Sequence, residues 1–186
     1  MKISHTSKYH PANIRRRPIV LPLGTQKFLA AFEGLEGGFA IGASIVVALS
    51  FTNLSQNILL LTAVVTIIVN GFNNASVKYS SEHYLDELDG REKNSPFRYY
   101  FVPAFIEFVS YFAISFISII PLIVIPNLKL AVIWSVVVTL VILFAAGYYR
   151  AYILQMRRWR DACETTILGS GIIIVGLISG LFLHSL

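Results

Sequence analysis

The chain has 186 residues, of which 55% are hydrophobic and only 13% charged, with a formal net charge of +5. A soluble domain carries nearer a quarter charged residues. Here the mean hydropathy is +0.68, and the charges gather in clusters between long uncharged runs, which excludes an ordinary soluble domain and describes a polytopic membrane protein.

The single cysteine, Cys163, rules out an intrachain disulfide and a CxxC metal site. Arg15, Arg16 and Arg17, and later Arg157, Arg158 and Arg160, read as membrane flanks. Nucleic-acid binding would need a basic face with aromatic platforms on a soluble fold, so no nucleic-acid partner is expected. The stretch RRRPIVLPLG starts like a signal peptide, but Pro22 and Gly24 interrupt its apolar part and no small-residue cleavage site follows closely.

In chain order, residues 1–27 read as a basic cytoplasmic tail. Residues 28–186 read as an all-α transmembrane domain of five helices, over 28–51, 58–81, 99–125, 128–150 and 163–185, with a short acidic cytoplasmic segment at 82–98. Each span reaches the roughly 20 residues that cross about 30 Å of hydrocarbon. The runs are continuously apolar, where strands of a barrel would be short and alternating. Pro126 and Asn127 break the chain between spans three and four.

Lysine and arginine set the orientation. The tail holds Lys2, Lys8, Arg15, Arg16, Arg17 and Lys27. The second loop region holds Lys78, Arg91, Lys93 and Arg98, and the fourth holds Arg150, Arg157, Arg158 and Arg160. The other side has Lys129 alone. This asymmetry predicts an inside N-terminus, an outside C-terminus and an integral membrane protein in contact with lipid.

The first span contains EGLEGGFAIGAS, with two carboxylates, Glu33 and Glu36, three residues apart on one helix face. A carboxylate at bilayer depth is costly, and the residues continuing that face (Gly37, Ala40, Ser44) are small, so the acids are expected to point into helix packing. Span two carries its own polar stripe, Asn70, Asn74 and Lys78 at four-residue spacing, with Asn73 beside it. Both stripes fall at cytoplasmic ends, where carboxylates, amide oxygens and a lysine can share a pocket. Hard oxygen ligands suit Mn²⁺, Fe²⁺ or Mg²⁺ better than copper(I). The competing reading is a buried ion pair of Lys78 with Glu33 or Glu36, the asparagines bridging helices.

Glu107 lies about two turns into span three, as a proton-carrying group or a helix-packing residue, with Ser110 and Tyr111 on nearly the same face. Glu164 opens span five, where a first-turn acid also complements the helix dipole. If span two continues as helix, Glu82 and Asp86, and His83 and Glu87, form an acidic cytoplasmic vestibule with one imidazole. The pairs Gly38/Gly42 and Gly176/Gly180 have GxxxG spacing, which lets backbones approach closely within the bundle or across a dimer. No nucleophile triad, Walker loop, HExxH or haem motif is present, the serines and threonines lack a histidine partner in register, and His5 and His10 fall in the tail and His184 at the outer end, so an enzyme is not expected.

Taken in order, EGLEGGFAIGAS, VNGFNNASVKYSSEHYLDE, SIIPLIVIP and ACETTILGSGIIIVGLISG resemble the first, second, third and fifth spans of the vacuolar iron transporter family, over residues 28 to 186. The resemblance implies a homodimer of five-helix protomers. It implies movement of Fe²⁺ or Mn²⁺ out of the cytosol, commonly in exchange for protons, across a plasma membrane in a prokaryote or a vacuolar or other organelle membrane in a eukaryote. No permanently bound cofactor is implied; the divalent metal ion is substrate. Glu33 stands at the family's first-span Asp and Glu164 at its fifth-span Glu. Span two departs: Asn70 replaces an acid, Asn74 a methionine, and Lys78 falls near another acid. Loss of the thioether removes a soft ligand. The segment at 82–98 is too short for the helical metal-binding domain of the plant members. The resulting expectation is a divergent divalent-cation/proton antiporter with Glu33, Glu36, Asn70, Asn74 and Glu164 on the metal and Lys78 and Glu107 coupling charge. The alternatives are a non-transporting scaffold or interaction protein with a Glu–Lys pair in place of the metal site, and a transporter that uses Lys78 to bind an anion.

Overall fold

The computed structural model describes residues 24–52, 54–91 and 95–185, without the side chains of Thr25 and Leu183. Lys2, Lys8, Arg15, Arg16, Arg17, His5, His10 and Lys93 lie outside the described residues. Five helices are present and no strand occurs among the described residues: α1 Thr25–Leu49, α2 Gln56–Leu88, α3 Val102–Val124, α4 Leu128–Ile153 and α5 Arg158–His184, with a π-helical turn at Phe97–Phe101 leading into α3. All five are long and apolar enough to cross a membrane. The helices run past the spans drawn from hydropathy, α5 by five residues at its start and α2 by seven at its end. Hydropathy marks the hydrocarbon, whereas a helix continues for as long as its backbone bonds are made. At 1.5 Å per residue α2 is about 50 Å long, so the segment 82–88 is its continuation rather than a loop.

α1 is the central helix and packs against each of the other four. Its small residues permit this. A Cβ built on Gly38 would lie 2.5 Å from the Tyr111 carbonyl oxygen of α3, and one on Gly176 of α5 would lie 2.6 Å from the Ser44 carbonyl oxygen of α1. Gly42 likewise faces Ser118, and Gly180 faces Ala48. Both GxxxG pairs are therefore occupied inside one protomer, so a homodimer needs another surface. Without a hydrophobic driving force between helices in lipid, close van der Waals approach of this kind is what holds them. Ser44 Oγ adds a bond to the Ile172 carbonyl at 3.1 Å.

The helix ends have identifiable stops. Pro121 lies inside the last turn of α3, which ends at Val124, and Gln56 Nε2 of α2 donates to the Leu122 carbonyl that this end leaves open. Asn127 caps α4, its side chain accepting from the Leu130 amide at 3.3 Å. On α2 one stripe is buried, Leu59, Ala63, Ile67, Gly71 and Ala75 at four-residue spacing. Leu61, Val65, Val69 and Phe72 are exposed, as a lipid-facing surface allows.

Candidate functional site

Successive ends of the bundle bring the start of α1, the end of α2 and the start of α3 together. Gln26 Nε2 donates to Glu82 Oε2 at 2.7 Å and to the Tyr99 carbonyl at 3.1 Å, tying the three elements. One helical turn deeper, Lys78 of α2 makes a direct ion pair with Glu33 of α1. The same ammonium lies 3.3 Å from Glu82 Oε1, one turn along α2, and 3.6 Å from Glu107 Oε2 of α3. Three carboxylates from three helices thus surround one ammonium. They line an open cavity of about 360 Å³ together with Asn74, Val77 and Ser81.

Exposure varies across this cavity. The Glu33 side chain is 51% exposed and the Lys78 side chain only 12%. Glu107 is 9% exposed, and its Oε2 accepts no hydrogen bond; at 3.6 Å the lysine offers it charge but not a bond. A carboxylate oxygen held this deep without a donor retains its full capacity for an incoming cation or proton.

Glu36 goes elsewhere. It pairs directly with Arg150 of α4, not with Lys78. Arg150 Nε also donates to Asp161 Oδ2 of α5 at 3.0 Å, and its Nη2 lies 3.3 Å from Thr165 Oγ1. This second cluster locks α1, α4 and α5. Residues three apart on a helix differ by about 60° in direction, and α1 is central, so that angle sends Glu33 toward α2 and α3 and Glu36 toward α4 and α5. Arg150 and Asp161 were invisible as site residues while Arg150 counted only as a loop charge. The available signal was Gly147, one turn before Arg150, where a Cβ would lie 2.9 Å from Ala162 Cα. That close approach is what brings the two helices within reach of one guanidinium.

The remaining candidates divide. Asn74 lines the cavity and Asn70 is not among its lining residues. Glu164, expected as a first-turn acid, lies exposed in the second turn of α5, because the helix begins at Arg158 and its first-turn acid is Asp161; it is 4.0 Å from Arg160 and lines a separate open hollow with Gln155, Arg157 and Asp161. Of the vestibule residues, Glu82 belongs to the lysine cluster. Asp86 Oδ2 accepts from the Tyr100 hydroxyl at 3.0 Å. His83 lies among aromatic rings, its centroid 5.8 Å from Tyr79 and 5.0 Å from Tyr100, and Glu87 is exposed. Among the described residues, no three His, Cys, Asp or Glu side chains are arranged, as they stand, to hold a metal ion; the carboxylates of the cavity stand around the ammonium, which must move before they can close on a cation.

No curated protein matches the chain. The model of the VIT family matches residues 74–181, from the Asn74–Lys78 stripe of α2 to the last turns of α5. Asn74, Lys78, Glu82, Glu107 and Glu164 fall inside that match, while Glu33, Glu36 and Asn70 precede it. The match takes in more than half of the chain, and the chain belongs to the VIT family.

Proposed function

We propose that this protein carries divalent metal cations, Fe²⁺ or Mn²⁺, out of the cytosol in exchange for protons, with Glu33, Asn74, Glu82 and Glu107 as the cation site and Lys78 as a tethered cation that occupies it between cycles. Membrane metal-ion transport is the activity of the family, whose members are transporters and not enzymes. The observation that carries the finer reading is charge balance: three carboxylates face one ammonium in an open cavity. Ionised, they hold two negative charges more than Lys78 neutralises, which one divalent cation balances while the lysine remains charged beside them. Oxygen donors alone favour hard cations over copper(I). Carboxylates bind either a metal or a proton, which is the requirement for exchange through one set of groups. The cavity opens at the helix ends flanked by Lys27, Arg98, Arg157 and Arg158, the cytosolic side by the positive-inside rule, so cations load from the cytosol.

The direct Lys78–Glu33 contact favours a second reading, a bundle in which the pair replaces a metal site and nothing is transported. Flux in proteoliposomes with a panel of divalent cations, with and without a pH gradient, separates the two. The transporter reading expects Mn²⁺ or Fe²⁺ flux that responds to the gradient; a protein that passes no divalent cation under any gradient overturns it.

A further inference from the structure

Tyr111 of α3 is 1% exposed, and its hydroxyl has no hydrogen-bond partner. Its ring bridges the gap between two other helices. A Cβ on Gly37 of α1 would lie 3.5 Å from Cδ2 and Cε2, and one on Gly71 of α2 would lie 2.8 Å from Cδ1. One ring edge therefore faces each helix. Each of these three positions lies one turn beyond a residue that lines the acidic cavity: Gly37 follows Glu33, Gly71 precedes Asn74, and Tyr111 follows Glu107. The ring sits one helical turn beneath the residues that line that cavity and is not itself among them.

Beyond the ring the buried face of α3 is again polar. Ser115 and Ser118 are fully buried, as are Ser135 and Thr139 of α4. Ser115 Oγ lies 2.9 and 2.7 Å from the Gly38 and Tyr111 carbonyl oxygens, which share its one proton, and Thr139 Oγ1 lies 3.4 Å from Ser118 Oγ. Polar groups thus continue on both sides of one aromatic plug. A phenylalanine would fill the same gap without stranding a hydroxyl in the core, so packing accounts for the ring but not for its oxygen.

We propose that Tyr111 gates this cavity: its ring separates the carboxylates from the hydroxyl-lined seam, and its hydroxyl meets the hydrated cation or the water that passes when the ring swings aside. The proposal rests on the transport reading for its purpose, but its test does not. Ser115→Cys places a thiol immediately behind the ring, in a Cys163→Ser background because Cys163 is exposed. A charged, membrane-impermeant methanethiosulfonate reagent reaches that thiol only along an aqueous path. Labelling is expected to be slow with Tyr111 or Tyr111→Phe in place and at least tenfold faster with Tyr111→Ala, each variant first checked for monodisperse elution and helical circular dichroism. If Tyr111→Ala does not fold, Tyr111→Leu makes the same comparison. Labelling that is equally slow without the ring, or equally fast with it, overturns the gate. Faster labelling in a protein that passes no cation sustains the gate and removes the transport reading; cation flux with unmoved labelling does the reverse.

Discussion

Lys78 of α2 and Glu33 of α1 form an ion pair across two helices, and Lys78 is by far the more buried of the two, at 12% against 51% side-chain exposure. The burial is uneven, and so are the consequences of losing each partner. Glu33 can be neutralised with Glu82 and Glu107 still beside the ammonium. Glu33→Gln is accordingly expected to fold with a thermal midpoint within a few degrees of wild type and to lose metal-dependent flux at least tenfold. A scaffold role predicts the same stability but no metal-dependent flux in wild type or in Glu33→Gln. Liposome flux, with thermal unfolding on the same preparations, distinguishes them.

Removing the ammonium leaves three carboxylates facing each other. A unit charge at 4 Å is worth about 4 kcal/mol at an effective dielectric of 20, so Lys78→Met is expected to unfold more easily in metal-free buffer and to bind Mn²⁺ at least tenfold more tightly. Thermal-shift titration with Mn²⁺ is the check. A Lys78→Met protein whose stability ignores Mn²⁺ would count against the cation site.

The Glu36–Arg150–Asp161 cluster is structural and should behave differently. Arg150→Met strands two acids between α1, α4 and α5, at a cost on the order of 3 kcal/mol. Adding Glu36→Gln and Asp161→Asn should recover most of that loss, with no dependence on metal. Equal stability of wild type and Arg150→Met in chemical or thermal unfolding would refute the lock.

Gly176 sits against the backbone of Ser44, with room for no side chain. Gly176→Ala should push α5 from α1 and lower stability by about 1–3 kcal/mol, while the oligomeric state seen by light scattering in detergent stays as in wild type. A change of oligomeric state with unaltered protomer stability would instead assign this glycine pair to an intersubunit seam.

Orientation is predicted by the lysine and arginine asymmetry. A reporter fused after Leu186 should be active only if its chemistry suits the non-cytoplasmic side. A cytoplasmic signal there would invert the site and with it the proposed loading from the cytosol.

The five spans, the break at Pro126 and Asn127, and the stripe that joins Asn74 to Lys78 were all legible without coordinates, because hydropathy, turn chemistry and helical periodicity are properties of neighbouring residues. The family was legible on the same basis, from motifs in order along the chain. The partner of each charge was not. Glu33 and Glu36 share a helix face, and nothing within α1 says that one will meet Lys78 and the other Arg150. That division comes from α1 occupying the centre of the bundle, where about 60° of helical rotation spans the distance between two different neighbours. Arg150 read as a loop charge because it stands where the apolar stretch of span four ends, whereas α4 runs on to Ile153 and α5 begins early enough to bring Asp161 to the guanidinium beside Glu36. Tyr111 read only as a neighbour of Glu107 on nearly the same face of its span. Only the meeting of Gly37 and Gly71 around its ring, which requires three helices at once, places it between α1 and α2 one turn beneath the acidic cavity.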